Sequence, residues 1–422
     1  MKKRLTLICI LIALVLILCS CSILPAATLE HMFSPQNSTQ QSGSSYPQND
    51  TVVISRAEYE KYKQFSEMTE LIDIIDSEFY EEPDHEKMMD TAAEGLMAAL
   101  DDPYTFYYTP EEFQAMLEDD EGNYVGIGVY ISADYTTQLC TISRVFEGSP
   151  AQEAGVLRGD ILYKVEDDLL VTADNLQEAV NIMRGVPGTE VNVTFLRDGQ
   201  EMTFNMIRKE VSVNQIESGM LDEQTGYIAL YQFAGHCEEE FEKALNNLMD
   251  QGSKGIILDL RDNGGGWVEQ ARYIADFFMD EGELLYLVYR NGKEVHTEFL
   301  TTNGKVDQKI VILVNELSAS ASEILTGALR ERAGATVVGT QTFGKGIVQN
   351  VHPIGSRGAG CQITVAQYFT PNGYAVHKNG ITPDILIEIP EGDTGMYDFA
   401  DLQHDVQLKK AYEVMQEILK EE

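Results

Sequence analysis

The sequence predicts a mixed α/β (α+β) chain: a layered α/β core, a compact strand-rich domain inserted ahead of it, and helical segments at both ends. Three observations carry this. From about residue 209, β-branched runs alternate with helical patterns: Thr225–Leu230, about Cys237–Met249, Gly255–Leu260, Trp267–Phe278, Leu284–Tyr289 and Ile310–Val314. Between Tyr124 and Leu196 short strands are separated by turns instead. Apolar residues recur at helical spacing near both ends, at Leu71, Ile72, Ile74, Ile75 and Phe79 and again at Val406, Leu408, Tyr412, Met415, Ile418 and Leu419.

With 422 residues, 44% of them hydrophobic, the chain can build two or three domains around a large core. Its formal net charge of −38 repels phosphate backbones and offers no basic stripe, which excludes nucleic acid as a partner.

Taken in order, residues 1–27 read as a secretory signal or membrane anchor. Lys2, Lys3 and Arg4 precede an apolar run from Leu5 to Leu18. Leu18-Cys19-Ser20-Cys21 resembles a lipobox with Cys21 as the lipidated residue, although Cys19 is unusual there and Pro25-Ala26-Ala27 is a rival cleavage site. Every version is extracytoplasmic, with the membrane reached through the N-terminus. Residues 28–54, rich in Ser, Gln, Asn and Pro, form a flexible tether. Residues 55–118 form a helical region suited to packing or dimerisation, with helices from near Ser55, over about Met88–Leu100 and over Pro110–Leu117. The closing segment, 391–422, ends in an amphipathic helix read as a lid or a second dimer contact. Cys140, Cys237 and Cys361 are odd in number and lack metal-ligand spacing, so neither a disulfide framework, a metal nor another cofactor is expected.

Residues 119–208 resemble a PDZ domain of the bacterial type, most specifically through Gly148-Ser149-Pro150-Ala151-Gln152-Glu153-Ala154-Gly155-Val156-Leu157-Arg158-Gly159-Asp160-Ile161-Leu162. The physical basis is the Gly126-Ile127-Gly128-Val129 turn, whose glycines let backbone N–H groups converge on a terminal carboxylate while the next strand pairs with the peptide. Leu176 and Val180 would line the groove for its last side chain. The plainer reading is an ordinary tight turn and a core-facing helix.

In the core, 209–390, Ser320-Ala321-Ser322-Glu323 fits a capping box at the start of a helix. The same geometry exposes a serine on a strand-to-helix turn near the positive end of a helix. Such a nucleophile needs a base. His352 and His377 follow plausible strands of the same domain and keep a Ser–His site open. Lys345, between Gly344 and Gly346, is the competitor; an amine acts as a base only when neutral, so it must be desolvated. Gln349 could orient it. The glycines at 264–266 follow a buried strand and can aim amides at an oxyanion. Gly339-Thr340-Gln341-Thr342-Phe343-Gly344-Lys345 also matches a phosphate-binding loop. That nucleotide reading fails at Gly346, where Mg²⁺ would require Ser or Thr, and at the strand-like residues that follow.

Three blocks together resemble the carboxy-terminal processing peptidases, or tail-specific proteases, over roughly residues 60–390: the PDZ segment, Gly255–Gly266 with its helix, and Val311–Gln349 continuing to Ile385. The resemblance implies a PDZ-containing serine endopeptidase with Ser320 as nucleophile, Lys345 as general base and Gln349 orienting it. Twenty-five residues separate the first two, as in that family. It also implies an oxyanion hole from the Ala321 amide and one from Gly265 or Gly266, and a coupling role for Arg184. The expected partners are proteins with exposed apolar C-termini, a second copy of the chain and an activating partner. A PDZ-based adaptor on a non-catalytic scaffold is the rival from another class.

Overall fold

The computed structural model describes residues 53–134, 137–296, 299–302, 304, 306–390 and 399–421. The signal, tether and Cys21 readings fall outside that set. Among the described residues no helix is long and apolar enough to cross a membrane. Residue contacts divide the chain at Asp101/Asp102 into a small unit, Leu24–Asp101, and a large one that holds everything from Asp102 onward.

The small unit contains α1 (Arg56–Lys63), α2 (Ser66–Glu78) and α3 (His85–Ala98). Ser55 and Glu58 form a reciprocal capping box, with Glu58 N–H donating to Ser55 Oγ at 3.2 Å and Ser55 N–H to Glu58 Oε2 at 2.8 Å. Asp84 caps α3 by accepting from Lys87 N–H at 3.0 Å. None of the three helices has a buried residue, and Phe65, Met68, Leu71, Ile74 and Phe79 are all exposed.

In the large unit, α4 (Pro110–Glu121) leads into the strand-rich domain. Its antiparallel sheet has the order β1 (Val129–Asp134), β2 (Leu139–Val145), β3 (Ile161–Val165), β4 (Glu190–Arg197) and β5 (Gln200–Ile207), with α5 (Pro150–Ala154) and α6 (Leu176–Met183) packed on it. Two details position this domain. The run Tyr124–Ile131 is broken: Asn123–Gly126 pairs with Lys209–Ser212, and β1 starts afresh at Val129. The break falls at Gly128, whose φ is +83° and where a Cβ would lie 2.2 Å from Ser149 Cβ. The sheet also does not end at Leu196. The Asp198-Gly199 turn, with φ of 52° and 76°, folds β5 back on β4.

The core sheet runs β6 (Ile216–Met220), β7 (Thr225–Leu230), β8 (Gly255–Asp259), β9 (Lys309–Val314) and β10 (Thr336–Gly339), then the short strand Ile385–Leu386. All neighbours are parallel except β6 with β7. Side chains alternate faces along each strand. Ile256 and Leu258 join a cluster with α7 (Cys237–Asp250), α8 (Val268–Asp276) and α9 (Ala321–Arg332), whereas Ile257 joins one with Leu408, Ala411 and Met415 of α10 (Val406–Lys420). The apolar stripe of α10 is therefore covered by the sheet, so this helix is a wall of the core, not a lid. A second sheet pairs β11 (Ile347–Ile354) with β12 (Ala359–Phe369), and β12 also pairs with Phe106–Tyr108 and Tyr286–Tyr289.

Candidate active site

Three serines stand at the end of β9, and their surroundings separate them. Ser318 Oγ donates to Leu260 O at 2.7 Å, and Ser322 Oγ to Asn263 O at 2.8 Å. Both are committed to holding the helix start against the segment after β8. Ser320 lies between them with φ 59° and ψ −116°, a conformation L residues seldom adopt. Strain of that kind on a strand-to-helix turn persists only where surrounding bonds over-determine it.

Glu323 supplies those bonds. Its Oε2 accepts from Ser320 N–H and from Lys345 N–H, both at 2.9 Å. Its Oε1 accepts from Gly344 N–H at 2.7 Å and from Thr342 Oγ1 at 2.5 Å. One fully buried carboxylate thus clamps the serine segment to the lysine segment. Burial pushes this carboxyl up, while its four donors pull it down. Tyr368 adds a second tie: its hydroxyl donates to Ser320 O at 3.2 Å and its N–H to Gly346 O at 3.0 Å.

Lys345 is 2% exposed, and its Nζ lies 4.8 Å from the centroid of the Tyr104 ring. The flanking glycines permit the close approach: a Cβ on Gly346 would meet His377 N at 2.2 Å. Gln349 is fully buried on β11. Its Nε2 donates to Thr364 Oγ1 at 3.1 Å, while its buried Oε1 accepts no hydrogen bond among the described residues. His352 is exposed on β11.

The glycine turn is braced from both sides. Asp262 N–H donates to Asn315 Oδ1 at 2.9 Å, and Asn263 Nδ2 to Leu230 O at 2.8 Å. Gly265 N–H donates to Asn263 Oδ1 at 2.9 Å, and its Cα abuts Ser320, since a Cβ would lie 2.8 Å from Ser320 Cβ. Gly266 is pressed against Phe233, where a Cβ would lie 2.1 Å from the carbonyl oxygen. Ala321, fully buried, opens α9. Just before the turn, Arg261 pairs with Asp259 at 2.6 Å and with Asp405, the residue that caps α10, at 2.7 Å.

In the strand-rich domain, Gly126 closes the strand before the break, and Val129 opens β1, the outermost strand in the sheet order. Ile127 is 2% exposed and belongs to the core; its carbonyl accepts from Ala151 N–H at 2.8 Å. Leu176 is buried at the start of α6, and Val180 is half-buried one turn on. Arg184 ends α6 with its guanidinium 5.0 Å from the Tyr124 ring centroid.

The sequence reading missed two participants. Glu323 was visible only as a capping partner, because its other ligands lie 19–22 residues downstream. Tyr104 stood in what looked like a plain turn.

Peptidase family S41 matches residues 224–387, a PDZ domain residues 141–197, and the N-terminal domain of the activating protease CtpB residues 26–112. The chain is 36% identical over 335 residues to the carboxyl-terminal-processing protease of Synechocystis sp., covering 77% of this chain and 76% of that one. It belongs to the carboxyl-terminal-processing protease family. The carboxy-terminal processing protease CtpA of Bacillus subtilis is 32% identical over 346 residues, 81% of this chain and 73% of that protein. Among solved structures, the photosystem II D1 C-terminal processing protease aligns with a TM-score of 0.52 at 26% identity, covering 82% of this chain and 91% of that one. As a member of this family the chain is a serine peptidase, and its strand-rich domain is a PDZ domain.

Glu323→Gln places an amide NH₂ among donors that need an acceptor, loosening the register between the two clamped segments. Peptide cleavage is expected to fall by about 10²-fold, the scale of a 1 Å misplacement in an active site. A lower melting temperature with an unchanged rate would assign Glu323 to folding alone.

Proposed function

We propose that this processing protease is an exported serine endopeptidase that captures the C-terminus of a protein substrate in its PDZ domain and cleaves with Ser320, Lys345 and Gln349. The observation that carries the reading is the Glu323 clamp, which brings the Ser320 and Lys345 backbones onto one carboxylate oxygen. Lys345 in its amine form takes the proton as Ser320 Oγ attacks the peptide carbonyl. The oxyanion is received by the Ala321 amide and by one from the glycine turn. Gly266 is the better donor there, because Gly265 N–H is already engaged with Asn263. The Lys345 ammonium returns its proton to the departing amine, and a water activated by the same lysine releases the acyl group. Gln349 Oε1, a buried acceptor, is suited to steady the ammonium between steps.

A substrate tail would add as a strand beside β1, the outermost strand of the sheet, its carboxylate at the Gly126–Val129 turn and its last side chain between Leu176 and Val180. Arg184, stacked on Tyr124 where the chain enters this domain, is placed to relay occupancy. The exposed apolar residues of α1–α3 suit a homodimer or an activating partner. Export, and membrane attachment through Cys21 or an uncleaved anchor, rests on residues 1–27.

The test is cleavage of an unstructured protein ending in apolar residues by the chain from residue 53 onward. Cleavage without ATP is expected, and replacing the substrate's last residue by Asp is expected to lower kcat/KM by about 10-fold, the scale of roughly 1.4 kcal/mol of groove binding. Tail binding without cleavage would favour the adaptor reading.

A further inference from the structure

We propose that Tyr104 is a positioning residue for the catalytic base, its ring face holding the Lys345 amine and setting the pH at which that amine can accept a proton. This rests on the Ser–Lys reading above and adds to it a residue far from both motifs.

The amine lies 4.8 Å from the ring centroid, inside the range over which an aromatic face attracts a cation. Lys345 is 2% exposed, so water competes little and the attraction is felt at close to full strength. The ring is also held in place. Tyr104 N–H donates to Asp102 Oδ1 at 3.1 Å and Thr105 Oγ1 to Asp102 Oδ2 at 2.7 Å, closing a tight turn. Tyr104 O accepts from Gln362 Nε2 at 3.1 Å, and Thr105 Oγ1 accepts from Thr364 N–H at 2.9 Å. Thr364 is the residue whose hydroxyl also holds Gln349. One stretch of β12 therefore holds both the turn that carries Tyr104 and the side chain of Gln349.

The ring facing the amine is neutral at working pH: burial chiefly, then Asp102 and Glu323, pushes the phenol up to about 12. The other charged or titratable groups on the surrounding elements are Glu323 on α9, Asp102 beside the ring, and His377 and Lys378 on the turn against Gly344 and Gly346. Burial and then Lys378 push His377 below the usual imidazole range, against the pull of Asp102. Burial favours a neutral lysine, whereas the ring face favours the ammonium. Removing the ring's quadrupole removes stabilisation from the protonated form, so the amine's pKa falls and the acidic limb of kcat/KM moves to lower pH.

The experiment compares pH–rate profiles of the wild type, Tyr104→Phe, Tyr104→Leu and Tyr104→pentafluorophenylalanine, the last keeping the ring's shape while reversing its quadrupole. Tyr104→Phe is expected to keep the acidic limb in place. The leucine and pentafluorophenylalanine variants are expected to shift it down by about 0.5–1 pH unit. A limb unmoved by pentafluorophenylalanine overturns the proposal, even if that variant or Tyr104→Leu is slower. Lys345→Ala separates the two readings. Cleavage surviving in it sinks the dyad itself, whereas an inactive Lys345→Ala beside an unmoved limb sinks only the role of Tyr104.

Discussion

Ser320→Ala and Lys345→Ala are each expected to lower kcat/KM for a peptide with an apolar C-terminus by about 10⁴-fold or more, and the double variant is expected to be no slower than the slower single. In the proposed mechanism nucleophile and base act as a unit: without the amine, Ser320 would keep its proton, and without the hydroxyl the amine would have nothing to activate. What remains in all three is the oxyanion donors and the binding groove, which set the same residual rate. The fold should tolerate both changes. Ser320→Ala leaves the N–H that Glu323 accepts, and Lys345→Ala leaves the backbone N–H that does the same while removing a buried amine. Melting temperatures close to wild type are therefore part of the prediction. Additive losses in the double variant would mean that the two residues do not serve one step.

Arg261→Met is expected to be the most damaging change for stability, lowering the free energy of unfolding by about 3–5 kcal/mol. The guanidinium lies between Asp259 and Asp405, both almost fully buried, and donates as well to Gln407 Oε1 at 3.1 Å. Tyr227 completes the group, its hydroxyl donating to Asp259 Oδ2 at 2.7 Å. Methionine fills much of the volume but leaves two carboxylates out of water with no cation. Asp405→Asn is expected to be milder, since an asparagine can still accept from Gln407 N–H and Leu408 N–H at the start of α10. Denaturant midpoints measure both, and equal losses would show that the helix cap, not the uncompensated charge, dominates.

Much of this architecture was legible in the sequence because local patterns specify it. Alternation of strands and helices marked the layered core, whereas Ser320 and Lys345, each with a plainer use as helix cap or phosphate-loop lysine, were paired only by the family resemblance of the blocks that carry them. What escaped notice depends on long-range contacts. Glu323 satisfies a capping box locally, and nothing nearby reveals that its carboxylate also holds Lys345. Tyr104 sits in a turn whose sequence explains itself; its relation to Lys345 exists only because β12 carries Gln362 and Thr364 past both. The stripe on α10 was plain to see, but its covering surface, the far face of β7 to β10, could not be read from the helix alone.

Strand β8 is a partition wall between two rooms. Ile256 and Leu258 furnish the side where α9 sits, and Ile257 and Asp259 the side where the terminal helix lies. Four residues beyond Asp259, the Asn263 carbonyl accepts from Ala319 N–H and Ser322 Oγ and so steadies the serine turn. The serine turn and the terminal helix therefore share one strand as their common support, each leaning on an opposite face.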